Sequence, residues 1–223
     1  MFNSKVRNLT DIVEQVLNET SRPIPVNFVL GVIQRESGGI VGNYGNGIAM
    51  GLMQVLRGTT ASFNDKQNKS YTKQDMIGTS NEDARRQIDV GTWYLQRCLL
   101  SVNKMNPFEF TWPKGLLGRT QGHYADMSYV AGINGFRKFR ERALNQGFDD
   151  TPQALRLYRN TYETTWGQPN RPFDHAKGVW ALATGNNDKS APPSPVRPKT
   201  RGGGIGFLIL IIALVAKFFK KGN

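Results

Sequence analysis

The run Val26-Asn27-Phe28-Val29-Leu30-Gly31-Val32-Ile33-Gln34-Arg35-Glu36-Ser37-Gly38-Gly39 carries the signals that decide how this chain folds. Phe28, Val29, Val32 and Ile33 recur at the three- and four-residue spacing that gathers side chains on one face of a helix. Pro25 suits a first helical position, where a fixed φ and a missing N–H do no harm, and Gly38-Gly39 is a stop signal at the other end. Glu36 follows Val32 by four residues and Ile33 by three, so its carboxyl group emerges beside the apolar stripe. A carboxyl group partly withdrawn from water holds its proton more tightly, which suits one that must donate a proton near neutral pH. Position alone leaves an ordinary Glu at a frayed helix end, paired with Arg35, equally open.

Helical periodicity continues through residues 1–184, and few stretches alternate as strands do. Thr10 is placed to cap a helix carrying Ile12, Val13, Val16 and Leu17 on one face. A long helix is expected from Ser80 or Asn81 to about Leu100, with Glu82 and Asp83 in its first turn and Ala84, Ile88, Leu95 and Leu99 inward. Further helices are expected at about 123–132, 136–145, 152–164 (opened by Thr151-Pro152) and 174–184. The expected class is mainly α.

With 223 residues, 39% of them hydrophobic, the chain is long enough for one sizeable core. The formal charge is +12, and residues 190–223 hold six of the 29 Lys+Arg and none of the 17 acids, so half the excess is in the tail. Such a balance suits a polyanionic partner: nucleic acid, anionic lipid, or peptidoglycan with its peptide carboxylates. Arg137-Lys138-Phe139-Arg140-Glu141-Arg142 reads as a solvated helical face, so nucleic acid is not the expected partner. The single cysteine, Cys98, lies on an apolar stripe as a small buried hydrophobe, and with only His123 and His175 no Cys- or His-based metal site is expected. His175 beside Asp174 would make a catalytic pair, but with no Ser or Cys motif next to it the favoured reading is an ordinary helix start.

After Gly185 the composition changes. Residues 185–204, with four prolines and three consecutive glycines, form a linker that is expected to be disordered. Residues 205–221 read as a C-terminal transmembrane helix, apolar on every side rather than along one stripe. The uncharged stretch from Gly202 to Ala216 is 15 residues, short of a comfortable span, but Lys217 can snorkel past Phe218 and Phe219. Basic residues balance on the two sides and leave the orientation open. Met1 to Arg7 shows none of the apolar stretch of a secretory signal.

Gly47-Ile48-Ala49-Met50-Gly51-Leu52-Met53-Gln54-Val55, followed by Thr59-Thr60, tips the reading of Glu36. Glycines let a backbone approach a ligand closely, Met53 offers an adaptable apolar wall, and Gln54 both donates and accepts. Glu36-Ser37-Gly38-Gly39, then Ala49-x-Gly51-Leu52-Met53-Gln54-Val55 with Glu36 and Gln54 18 residues apart, then the Thr pair, resembles the lytic transglycosylase domain of the soluble-transglycosylase, goose-lysozyme-like type. Gln87-Ile88 through Gly91 to Tyr94-Leu95 is similar to the family's Asn-Ile-x-x-Gly-x-x-Tyr-Leu helix. Ser128-Tyr129-Val130-Ala131-Gly132 stands in the place of its Ala-Tyr-Asn-Ala-Gly motif. Together these cover roughly residues 20–140. Two positions depart from the pattern. Val130 replaces the usual Asn, with Asn134 a possible substitute, and Gly45 stands where a hydroxyl residue is common.

The resemblance implies a lysozyme-like helical domain over 1–184 with a substrate cleft, and cleavage of the MurNAc-GlcNAc β-1,4 bond of peptidoglycan. Hydrolytic glycosidases usually place two carboxyl groups around the bond, and no second acid stands in these motifs. In the family one Glu protonates the glycosidic oxygen and then takes the proton of the sugar's own C6 hydroxyl, leaving a 1,6-anhydro end. Glu36 would do both, with no cofactor and no metal; Tyr129 would hydrogen-bond near it, and Ser37, Gly51, Leu52, Met53 and Gln54 would line the sugar site. Glu163 is a weaker candidate for a second acid. A goose-type hydrolase, a wall-binding virion protein without activity and a basic nucleic-acid-binding protein are the rivals. A wall-cutting domain with a membrane anchor suggests a phage protein in a virion membrane or in the host inner membrane facing the periplasm, with virion proteins as neighbours.

Overall fold

The computed structural model describes residues 1–45, 47–105, 119–162 and 171–185. Glu163, the linker from residue 186 onward and the expected anchor at 205–221 lie outside the described residues. Among those described, no helix is long and apolar enough to cross a membrane.

The architecture is mainly helical. Helix α1 (Ser4–Arg7) leads into α2 (Thr10–Glu19) and α3 (Val26–Glu36). Thr10 is not the cap expected of it: it is the first helical residue, and its hydroxyl donates to the Arg7 carbonyl at 2.7 Å. Pro25 stands one place earlier than expected, as an extended residue just ahead of α3. The single apolar stripe read for α3 is also too modest. Six consecutive residues, Phe28 to Ile33, are buried, because α1, α2 and α10 pack around it.

Three two-residue strands follow, β1 (Tyr44–Gly45), β2 (Ala49–Met50) and β3 (Val55–Leu56), in an antiparallel sheet of order β1-β2-β3. Tyr44 pairs with Met50, and Met50 with Val55. Neither this sheet nor helices α4 (Arg57–Gln67) and α5 (Lys73–Ile77) was expected from periodicity. Next comes α6 (Asn81–Met105), on which α2, α4, α5 and α7 pack. Its start is fixed by Ser80, whose hydroxyl accepts from the Asp83 amide at 3.1 Å while the Asp83 carboxylate accepts from the Ser80 amide at 3.0 Å.

The remaining helices are α7 (Arg119–Ala131), α8 (Ile133–Asn145), α9 (Pro152–Tyr162) and α10 (Arg171–Thr184). Two apolar clusters result. One gathers α2, α3 and α6 with Leu52 and Met53; the other gathers Tyr124, Phe136, Phe139, Phe148 and Leu155. Helices α7 and α10 belong to both, contributing Ala125, Tyr129 and Val179 to the first and Met127 and Ala176 to the second. Cys98 is fully buried in the first cluster, as its place on the stripe predicts. Glu36 ends α3 at the seam between the clusters.

Candidate active site

Glu36 is held between two walls of different make. The first is the turn between β2 and β3. Gly51 takes φ +75°, a left-handed conformation natural to glycine, and turns the chain sharply after β2. Gln87 of α6, fully buried, pins that turn. Its side-chain oxygen accepts from the Leu52 amide at 3.1 Å and from the Gly42 amide at 3.2 Å, while its nitrogen donates to the Gly78 carbonyl at 2.8 Å. Beneath the turn, Gly91 lets Met53 lie directly on α6: a Cβ there would meet the Met53 Cβ at 2.7 Å.

Ser37 braces the same turn from the end of α3. Its hydroxyl donates to the Leu52 carbonyl at 2.7 Å and accepts from the Gly39 amide at 3.2 Å. The side chains of Leu52 and Met53 are buried, so this wall meets a ligand chiefly through backbone. Gln54, at φ +47°, donates its side-chain amide to the carbonyls of Gly51 (2.9 Å) and Asn43 (3.1 Å). Gly45 leaves room for the Gln54 side-chain oxygen, which a Cβ would strike.

The second wall is α7 and α10. Tyr129 donates its hydroxyl to the Met53 carbonyl at 2.7 Å, tying the two walls together. Its phenol is pushed well above the ordinary value, first by burial and then by the charge of Glu36. One turn before it on α7, Asp126 presents a side chain with no exposure, and its Oδ2 lies 2.7 Å from Nδ1 of His175 on α10. Nε2 of the same imidazole lies 3.3 Å from Glu36 Oε1, and the Glu36 side chain is only 7% exposed. Burial works against the charged imidazole, but the charge and hydrogen bond of Asp126, helped by Glu36, outweigh it and raise the His175 pKa above 6.5. Arg35 acts the other way.

Sequence reasoning brought Glu36, Ser37, Gly51, Leu52, Met53, Gln54 and Tyr129 to one place, and the structure brings them together. It missed Asp126 and read His175 as an ordinary helix start. The neighbour Asp174 turns out toward Arg156 at 3.2 Å, so the two do not pair, as the favoured reading of the sequence had it. A signal was present: Pro172, His175, Ala176 and Val179 follow the i, i+3, i+4, i+7 spacing of a buried stripe, so a histidine stands among core positions.

Beyond Tyr129 a hollow of about 350 Å³ is lined by Thr59, Ser62, Trp93, Tyr94, Arg97 and the Gly132 to Gly135 segment. Tyr94 connects the two, its ring centroid 5.2 Å from that of Tyr129. Exposed Asn134 stands on this hollow, while Val130 is half-buried.

Comparison with known proteins places the chain in a family. A family model described as the transglycosylase SLT domain matches residues 17–150. No curated protein and no solved structure matches the chain.

Proposed function

Because this chain belongs to the transglycosylase SLT family, and so is a lytic transglycosylase acting on peptidoglycan, we propose that Glu36 is its single catalytic acid and base. The observation that carries this is a carboxyl group 7% exposed at the end of α3, enclosed by the turn at residues 51–54 and by α7, each of which holds one of the family-like motifs. Glu36 protonates the oxygen of the MurNAc-GlcNAc β-1,4 bond, and the carboxylate then takes the proton of the C6 hydroxyl as O6 closes on C1. The product is a 1,6-anhydro end. Ser37, Gly51, Leu52 and Met53 shape the floor on which the amino-sugar lies, Gln54 and Tyr129 hold that floor, and the hollow beside Tyr94 and Asn134 takes a neighbouring sugar. The cycle draws on no cofactor.

Purified Glu36→Gln protein is expected to cut cell-wall glycan at least about 100-fold more slowly than the parent, with mass analysis of the parent's digest showing ends one water lighter than reducing ends. A Glu36→Gln protein as fast as its parent defeats the assignment. Reducing ends in the parent's digest would make the chain a hydrolase of the goose-lysozyme kind, and no cleavage by the parent would leave a wall-binding protein.

The apolar run at 205–221, reached through a proline- and glycine-rich linker, supports a setting beside a membrane. We read it as the anchor of a phage protein that opens the wall during infection or lysis, from a virion membrane among other virion proteins or from the host inner membrane facing the periplasm.

A further inference from the structure

His175 arrives on α10, outside the segment that the family model matches, and the reaction described above makes no use of it. Its ring, 5% exposed, lies between two enclosed carboxyl groups, Asp126 at 2.7 Å from Nδ1 and Glu36 at 3.3 Å from Nε2. The shorter contact orients the ring. Nδ1–H donates to Asp126, which leaves Nε2 facing Glu36. Nε2 makes no aligned hydrogen bond in the structure but lies within ion-pair distance of Glu36 Oε1. There a neutral imidazole can take the proton of a protonated Glu36, and a charged one attracts the Glu36 carboxylate. The two states differ by the position of one proton, and the net charge is the same in both.

We propose that His175, held by Asp126, is a positioning residue that shares one proton with Glu36, fixing the carboxyl group's orientation and retaining a proton at the site to higher pH than a lone carboxyl group would. The proposal rests on the reading of Glu36 as the acid. Glu36 from α3 and Asp126 from α7 lie against the ring, and Arg35 of α3 acts on it through its charge. On α10 itself Asp174 turns away to Arg156 and Lys177 is exposed, while His123 of α7 lies farther along the helix against Trp180. Of the charged groups that act on it, Asp126 and Glu36 favour the imidazolium and Arg35 opposes it. During turnover Glu36 gives its proton to the leaving oxygen and regains one from the C6 hydroxyl, so His175 ends each cycle as it began. Two coupled groups release their last proton at a higher pH than either releases its own when alone. The alkaline limb of the rate profile therefore belongs to the pair.

The test uses the full chain with kcat and KM for glycan-strand cleavage measured across pH. His175→Gln is expected to move the alkaline limb of kcat down by about one pH unit or more, with kcat about tenfold lower near pH 8 and close to the parent near pH 5, and KM within about twofold throughout. A limb that stays at the parent's position, or an equal loss at every pH, overturns the proposal. A second measurement does not require His175→Gln to fold. The chain has only two histidines, so imidazole NMR signals can be followed directly. His175 should titrate at lower pH in Glu36→Gln than in the parent, since the carboxylate that favours the imidazolium is gone, and an unchanged midpoint overturns the proposal. Full activity in Glu36→Gln would sink the underlying reading as well; an inactive Glu36→Gln with His175 titrating as in the parent sinks only this inference.

Discussion

The two walls around Glu36 use opposite materials. The turn from Gly51 to Gln54 is held by neutral hydrogen bonds from Gln87, Ser37 and Gln54 and by close packing of Met53 over Gly91. The α7–α10 side brings ionisable groups, Asp126 and His175, into almost complete burial. Neutral amides keep a fixed geometry at any pH, whereas a buried imidazole between carboxyl groups changes state as pH changes. On the proposed reading, one wall sets where the sugar lies and the other sets when the proton is present.

Substitutions should separate these roles. The largest effect is expected from Gln87→Leu, which strands the Leu52 and Gly42 amides and the Gly78 carbonyl and should cost about 3 kcal/mol or more. Urea unfolding measures it, and activity should fall without any change in the shape of the pH profile. A stability close to the parent's would mean that something other than Gln87 shapes the turn. Tyr129→Phe should cost less, about 1–2 kcal/mol, by leaving the Met53 carbonyl without its donor. Because the phenol stays protonated well past pH 10, its effect on rate and stability should be flat across the neutral range. A pH-dependent loss would show that Tyr129 belongs functionally to the charged wall.

The smallest effect is expected from the titration of His175. The folded imidazole binds its proton more tightly than the unfolded one, so this stabilisation is fully present below about pH 6.5 and is lost as pH rises through the folded value. The gap in melting temperature between parent and His175→Gln should be widest in mild acid and narrow toward alkaline pH. A gap that widens with pH would mean that the ring is held neutral.

The neutral wall was legible in the sequence because its parts are close along the chain. Glu36, Gly51 and Gln54 carry motif spacing, and the long helix bearing Gln87 and Gly91 announces itself by its apolar stripe. The strands between them escaped notice because two residues are too few to alternate. Helix α4 buries only Thr60 and Phe63, too little for a stripe, and α5 has a capping box at Thr72 and Asp75 but only five residues behind it. The charged wall depends on a contact between residues 126 and 175, 49 apart, and on another reaching back to Glu36. Reading His175 as an ordinary helix start overlooked its direction: adjacent residues on a helix point about 100° apart, and while Asp174 turns outward to Arg156, His175 turns into the core.

Gly31 of α3 sits so close to α10 that a Cβ there would touch the Val179 carbonyl oxygen at 3.0 Å. The stretch shared with relatives stops at residue 150, but the cooperative unit does not. A fragment trimmed to the region of similarity would expose the most apolar helix of the domain to solvent, and it should be recovered as aggregate, whereas one extended through Gly185 keeps that helix covered.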